Sequence, residues 1–129
     1  MISASLLSGG DLAFVGDAYF ELYIREYVIN KGITSLKKLH DECVKYVSRT
    51  SQHRIINKLM SELTEEEVSV FKRGRNYNYK NKTDDYINAS GYEALIGYLY
   101  LIKNEDRLKE IMQKTIRIVE NNYEWIYIW

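Results

Sequence analysis

The stretch "LAFVGDAYFELYIREY", Leu12–Tyr27, decides how this chain is read. It has the look of a mostly apolar helix, yet Asp17 stands inside it, directly after Gly16. Glycine in a helix interior costs about 1 kcal/mol against alanine, so its use there asks for a reason. Either Asp17 is an exposed residue of no consequence, or the helix is built to hold a charge at that point.

Working outward, this first helix runs from about Asp11 to Asn30 and stops at "NKG", where Gly32 serves as a C-terminal breaker. A second, "SLKKLHDECVKYVS", places Leu36, Leu39, Cys43, Val44 and Val47 on one stripe. A third, "SQHRIINKLMSEL", repeats the pattern with Ile55, Ile56, Leu59, Met60 and Leu63. The fourth opens at "TEEE", where Thr64 and Glu67 have the spacing of a capping box, and continues to Gly74. The segment "RNYNYKNKTDD" is polar and aperiodic, a loop. A fifth helix spans roughly Tyr86 to Lys103, and "EDRLKEIMQKTIRIVENN" forms a sixth. Only the tail "YEWIYIW" resists assignment. No proline interrupts the chain, and no internal repeat or linker divides it. The expectation is one all-α domain over residues 1–129.

Composition sets outer bounds. Hydrophobic residues make up 46% of 129 residues, enough for a packed core and too many for a disordered chain. No apolar run reaches the roughly 18 residues of a membrane span, and the N-terminus lacks the pattern of a secretory signal. A cytoplasmic location is the default expectation, with no membrane partner. The single Cys43 excludes an internal disulfide and a cysteine-rich zinc site. Lys+Arg and Asp+Glu both total 18, which argues against a generic nucleic-acid coat and leaves room for one local basic patch.

Two helices carry the chemistry. In the first, Asp17 is flanked by Gly16 and Ala18; in the fifth, "ASGYEALIGYLYL", Glu93 lies in an apolar surround with Gly97 one turn later. If Gly16 and Gly97 mark a close approach of two backbones, Asp17 and Glu93 meet in the core. Two buried carboxylates repel, and one takes up a proton unless a cation sits between them. Oxygen ligands that leave the rest of the coordination sphere to water suit Mg²⁺. The bland alternatives stand beside this: Glu93 follows Ser90 at capping-box spacing, and Asp17 can simply face solvent. Glu21, one turn from Asp17, is a supporting acid or an exposed one. His40 and His53 read as surface residues and Cys43 as core. No serine has His and Asp partners, and no glycine-rich phosphate loop is present.

Between the fourth and fifth helices, "FKRGRNYNYKNK" holds Lys72, Arg73, Arg75, Lys80 and Lys82 without an acid, with Tyr77 and Tyr79 interleaved. Most such runs are solvated loops, but in a chain of balanced charge this is the stretch able to meet phosphates.

These residues carry a resemblance. "LAFVGDAYFELYIREY" resembles the signature of ribonuclease III catalytic domains, in which an aspartate follows Phe-Leu-Gly or Phe-Val-Gly. "YEALIGYLYL" is similar to that family's second signature, whose glutamate precedes Ala-Leu-Ile-Gly. With "LHDECVKYVS" and "LTEEEVSVFKRGRN" between them, the match is nearest the Mini-ribonuclease III subgroup and spans about Leu12 to Met112. The expectation is a catalytic domain without the double-stranded-RNA-binding domain of larger relatives. The resemblance implies a ribonuclease III-like helical bundle, a homodimer, and Mg²⁺-dependent hydrolysis of double-stranded RNA, with Mn²⁺ as a substitute. It also implies precursor large-subunit (23S) ribosomal RNA as substrate, and Asp17 and Glu93 as catalytic and metal-binding residues. This chain has Ala13 and Ser90 where larger relatives carry a glutamate and an aspartate, so fewer carboxylates hold metal. Its loop after "FKRGRN" is shorter than usual in the subgroup. The competing expectations are a non-catalytic helical RNA-binding or assembly module on the same fold, and a purely structural helical dimer.

Overall fold

The computed structural model describes residues 2–128, with side chains described as far as Asn121. Six α-helices account for nearly all of it: α1 (Gly9–Asn30), α2 (Leu36–Val47), α3 (Arg49–Leu59), α4 (Glu65–Arg75), α5 (Asp84–Leu101) and α6 (Glu105–Ile128). Single 3-10 turns at Ala4–Leu6 and Met60–Glu62 precede α1 and follow α3. Among the described residues there is no strand, in agreement with the all-α expectation.

Local chemistry explains where the helices begin. Ser8 and Asp11 form a reciprocal capping box, which starts α1 two residues before the expected Asp11. Thr64 and Glu67 form the second box, as their spacing predicts. The fifth helix begins at Asp84 because Thr83 caps it, accepting a hydrogen bond from the Tyr86 amide. The connection from α4 is therefore only residues 76–83, with Lys72, Arg73 and Arg75 on the last turn of α4. At the end of α1, Gly32 has φ of +90°, a left-handed conformation that suits glycine. The tail left unassigned in the sequence falls within α6 up to Ile128; its side chains lie outside the described residues.

Helix α5 is the axle of the molecule. It packs against α1, α3, α4 and α6, and every residue from Ala89 to Gly97 is buried. Such a helix shows no amphipathic stripe because all its sides are covered. Around it, Phe20, Ile24 and Val28 of α1 meet Ile55, Ile56 and Leu59 of α3 and Ile111 and Met112 of α6. Phe20 meets Tyr92 edge to face at 5.3 Å between centroids. The hydroxyl of Tyr92 bonds Thr115 at 2.6 Å, giving this buried ring its polar partner. Arg107 of α6 clamps Glu67 of α4 with two bonds of 2.8 Å.

One expected stripe behaves differently. Cys43 of α2 joins the core with Leu39 and Val47 packed against it, but Leu36 and Val44 are exposed, so the outer part of the α2 stripe borders an open groove against α1. No described helix is long and apolar enough to cross a membrane.

Candidate active site

The site is made by the crossing of α1 and α5. A Cβ added to Gly16 would stand 1.7 Å from the carbonyl oxygen of Glu93, and one added to Gly97 would stand 2.0 Å from that of Leu12. Each glycine thus lets the opposite backbone in, and only glycine fits at such separations. The crossing brings Asp17 and Glu93 together, as the sequence reading anticipates.

The two carboxylates differ in setting. Asp17 is exposed, while Glu93 is 3% exposed. Burial pushes the Glu93 carboxyl up to about 8; a hydrogen bond with Asp17 adds to the rise, and the charge of Arg49 opposes it. Arg49, at the first position of α3, donates from Nη1 to Glu93 Oε1 at 3.0 Å. Gln52, one turn later, donates from Nε2 to Glu93 Oε2 at 3.4 Å. The Arg49 guanidinium also stacks on the ring of Tyr86, 4.6 Å from its centroid.

The positions at which the larger relatives' acids were expected are spent otherwise. Ala13 is buried in a small apolar cluster with Leu12, Val70 and Ala94. Ser90 is buried and donates its hydroxyl to the carbonyl of Tyr86 at 2.9 Å, so it caps nothing. Among the described residues no cluster of three or more His, Cys, Asp or Glu side chains is placed to hold a metal. The donor set is two carboxylates, Asp17 exposed and Glu93 buried beside the Arg49 guanidinium. That set fits a divalent cation which keeps most of its coordination sphere for water and substrate. Glu21 is turned to Arg25 at 3.4 Å and takes no part. His40 is exposed, and His53 is half-buried between Asn57 and Asn88.

The basic segment divides by role. Lys72, Lys80 and Lys82 are exposed. Arg75 bonds the side chain of Asn76 at 3.1 Å and lies over the Phe71 ring. Arg73 reaches back to the carbonyl oxygens of Ala4 and Ser5, each at 3.4 Å, and holds the N-terminal turn. The loop is braced by its tyrosines. Tyr79 donates to the Gly74 carbonyl at 2.7 Å, and rings run from Tyr77 to Tyr79 to Tyr86, ending at Arg49 and Glu93.

Arg49, Gln52 and Tyr86 were not singled out in the sequence. The signal available was faint: "VSRTSQ" marks the α2–α3 junction, where polar residues ordinarily mean only a cap.

Comparison with known proteins agrees with this geometry. The Ribonuclease III domain matches residues 10–104. Curated relatives called Mini-ribonuclease 3 include one from Streptococcus pneumoniae, 42% identical over 127 residues, covering 93% of this chain and 99% of that protein. Another, from Staphylococcus aureus, is 40% identical and covers 88% of this chain and 90% of its own length. A crystal structure of a Fusobacterium nucleatum protein superposes with a TM-score of 0.77 at 32% identity, over 87% of this chain and 93% of that one. The all-helical fold, the paired carboxylates at the α1–α5 crossing and these matches have one reading: the chain belongs to the ribonuclease III family, in its Mini-ribonuclease 3 group, and is an endoribonuclease.

Proposed function

We propose that this endoribonuclease is a single catalytic domain that cleaves double-stranded RNA with Mg²⁺ held by Asp17 and Glu93, and acts as a homodimer. The observation that carries the reading is the crossing itself: two glycines are given up to bring a buried carboxylate against an exposed one. When bound, the cation activates a water and stabilises charge on the scissile phosphate; Mn²⁺ supplies the same chemistry.

The chain's own residues do the rest. Glu93 is held from both sides by Arg49 and Gln52, so its oxygens are aimed before any substrate arrives. Asp17 presents its carboxylate at the exposed side of the crossing, where a phosphodiester can reach it. Lys72, Arg75, Lys80 and Lys82 offer positive charge on the neighbouring end of α4 and its loop, and Arg73 lies among them. Duplex RNA displays phosphates and 2′-hydroxyls across a shallow minor groove, so such charges position the duplex without reading bases.

Support for the dimer comes from α1. Phe14, Leu22 and Ile29 are 81%, 66% and 56% exposed along α1 from one turn before Asp17, and Leu36 of α2 lines a groove with Ile29. Apolar side chains in such a row are covered in assemblies. A second copy related by a two-fold axis would set two sites against the two strands of one duplex. Precursor 23S ribosomal RNA is the substrate that the resemblance implies.

The test is incubation of the purified protein with a structured precursor rRNA fragment and an unrelated duplex, with Mg²⁺ or with chelator. Discrete cuts in the presence of Mg²⁺ and none in chelator support the reading. Cutting that survives both chelator and Asp17→Asn refutes the site.

A further inference from the structure

Gln52 is 2% exposed, and its two amide atoms have unequal fates. Nε2 donates to the carbonyl of Val47 at 3.0 Å and to Glu93 Oε2 at 3.4 Å. Oε1 is buried and has no hydrogen-bond partner. The amide cannot be turned over to cure this. Both neighbours of Nε2 are acceptors, so a flip would set oxygen against two oxygens and strand the donors. Buried polar atoms are nearly always paired. An acceptor kept unpaired on the side chain that steadies a catalytic carboxylate asks for a donor that arrives with the reaction.

We propose that Gln52 is a positioning residue of the metal site, orienting Glu93 through Nε2 and accepting through Oε1 a hydrogen bond from a water in the cation's shell. This rests on the metal-site reading above and adds a residue to it. Two carboxylates leave most of an octahedral shell to water, and cation-bound waters are strong donors that need acceptors around them. Gln52 supplies one beside the buried ligand.

Two substitutions separate this from a structural role. Gln52→Met keeps volume and removes both polar atoms. Gln52→Glu keeps an oxygen acceptor and loses both Nε2 bonds, to the Val47 carbonyl and to Glu93 Oε2. Mn²⁺ is titrated into each full-length protein without RNA, following the electron paramagnetic resonance signal of the free ion, with circular dichroism to confirm helix content. The expected result is a loss of Mn²⁺ affinity of about 10- to 100-fold for Gln52→Met, the range for residues that support metal ligands. Gln52→Glu, which loses the bond steadying Glu93 but keeps the acceptor, should bind Mn²⁺ more tightly than Gln52→Met. Equal weakening in both variants would leave Gln52 only its Nε2 bonds and overturn the acceptor role proposed for Oε1. So would unchanged Mn²⁺ affinity in Gln52→Met, including the case in which only RNA affinity falls, since the donor would then be an RNA hydroxyl. If the wild-type protein and Asp17→Asn both fail to bind Mn²⁺, the metal site itself is refuted and this proposal with it. Binding by wild type and by Gln52→Met, but not by Asp17→Asn, refutes the role of Gln52 alone.

Discussion

The α-carbon of Gly16 lies so close to α5 that a methyl group on it would stand 1.7 Å from the carbonyl oxygen of Glu93 and 2.8 Å from the amide of Gly97. The neighbours are backbone atoms, which no rotamer change can move. Gly16→Ala should therefore separate the helices despite the gain of about 1 kcal/mol in helix propensity. A net destabilisation of roughly 1–3 kcal/mol is expected, as for other overpacked interiors. Urea denaturation measures it, and a variant as stable as wild type would contradict the crossing geometry.

Asp17→Asn and Glu93→Gln should each reduce cleavage at saturating Mg²⁺ by at least about 100-fold, the upper end of what losing a supporting residue costs a metal site. Helix content should hold, since Asp17 is exposed and Gln at position 93 still accepts from Arg49. Single-turnover cleavage of a labelled duplex is the measurement. Either variant cutting at near wild-type rate would remove that residue from the mechanism.

Acid stability should depend on Glu67. The two bonds from Arg107 hold its carboxyl below its ordinary value of 4.5, with help from Thr64 against the effect of burial. Because the folded value is depressed, the unfolded chain binds the proton more readily. The pair's contribution is complete above about pH 4.5 and is lost as pH falls through the lower folded value. Glu67→Gln should cost roughly 2 kcal/mol at pH 7, as for a hydrogen bond to a charged partner. Its stability should then fall less steeply than wild type below pH 4.5. Thermal unfolding at pH 7 and pH 3.5 tests both parts; parallel losses in the two proteins would place the acid sensitivity elsewhere.

Replacing Lys72, Arg75, Lys80 and Lys82 together by Gln should weaken binding of every RNA duplex to a similar degree. The log–log salt slope should shrink by about 0.9 for each phosphate no longer neutralised, taking the duplex-DNA value as a guide. The rate at saturating RNA should change much less, because these residues hold and do not react. Arg73→Gln should behave differently, lowering stability through release of the Ala4 and Ser5 carbonyls. An unchanged slope in the fourfold variant would make the patch a solvated surface.

Phe14→Asp with Leu22→Lys should convert a dimer to a folded monomer in light scattering at micromolar concentration. If wild type is itself monomeric and fully active, the two-fold arrangement is wrong.

How much of this was legible beforehand follows from what each signal depends on. Helix periodicity, the Thr64–Glu67 box and the Gly32 stop are local, set by neighbours three or four residues apart, and they agree with the folded chain. The pairing of Gly16 with Gly97, and so of Asp17 with Glu93, was readable because glycine in a helix is costly enough to demand a reason. Other features depend on packing between segments far apart in the chain. Glu93 is buried and Asp17 exposed because α5 is covered on all sides and α1 is not. Leu36 shares the α2 stripe with buried Cys43 yet is exposed, since periodicity gives a face and not what covers it. Arg49 and Gln52 lie more than forty positions before Glu93 and look like ordinary residues at a helix start. Arg73 shared a basic run with Lys72 but bonds the N-terminal turn, because the side chain's reach across the packed helices, and not its charge, selects its partner.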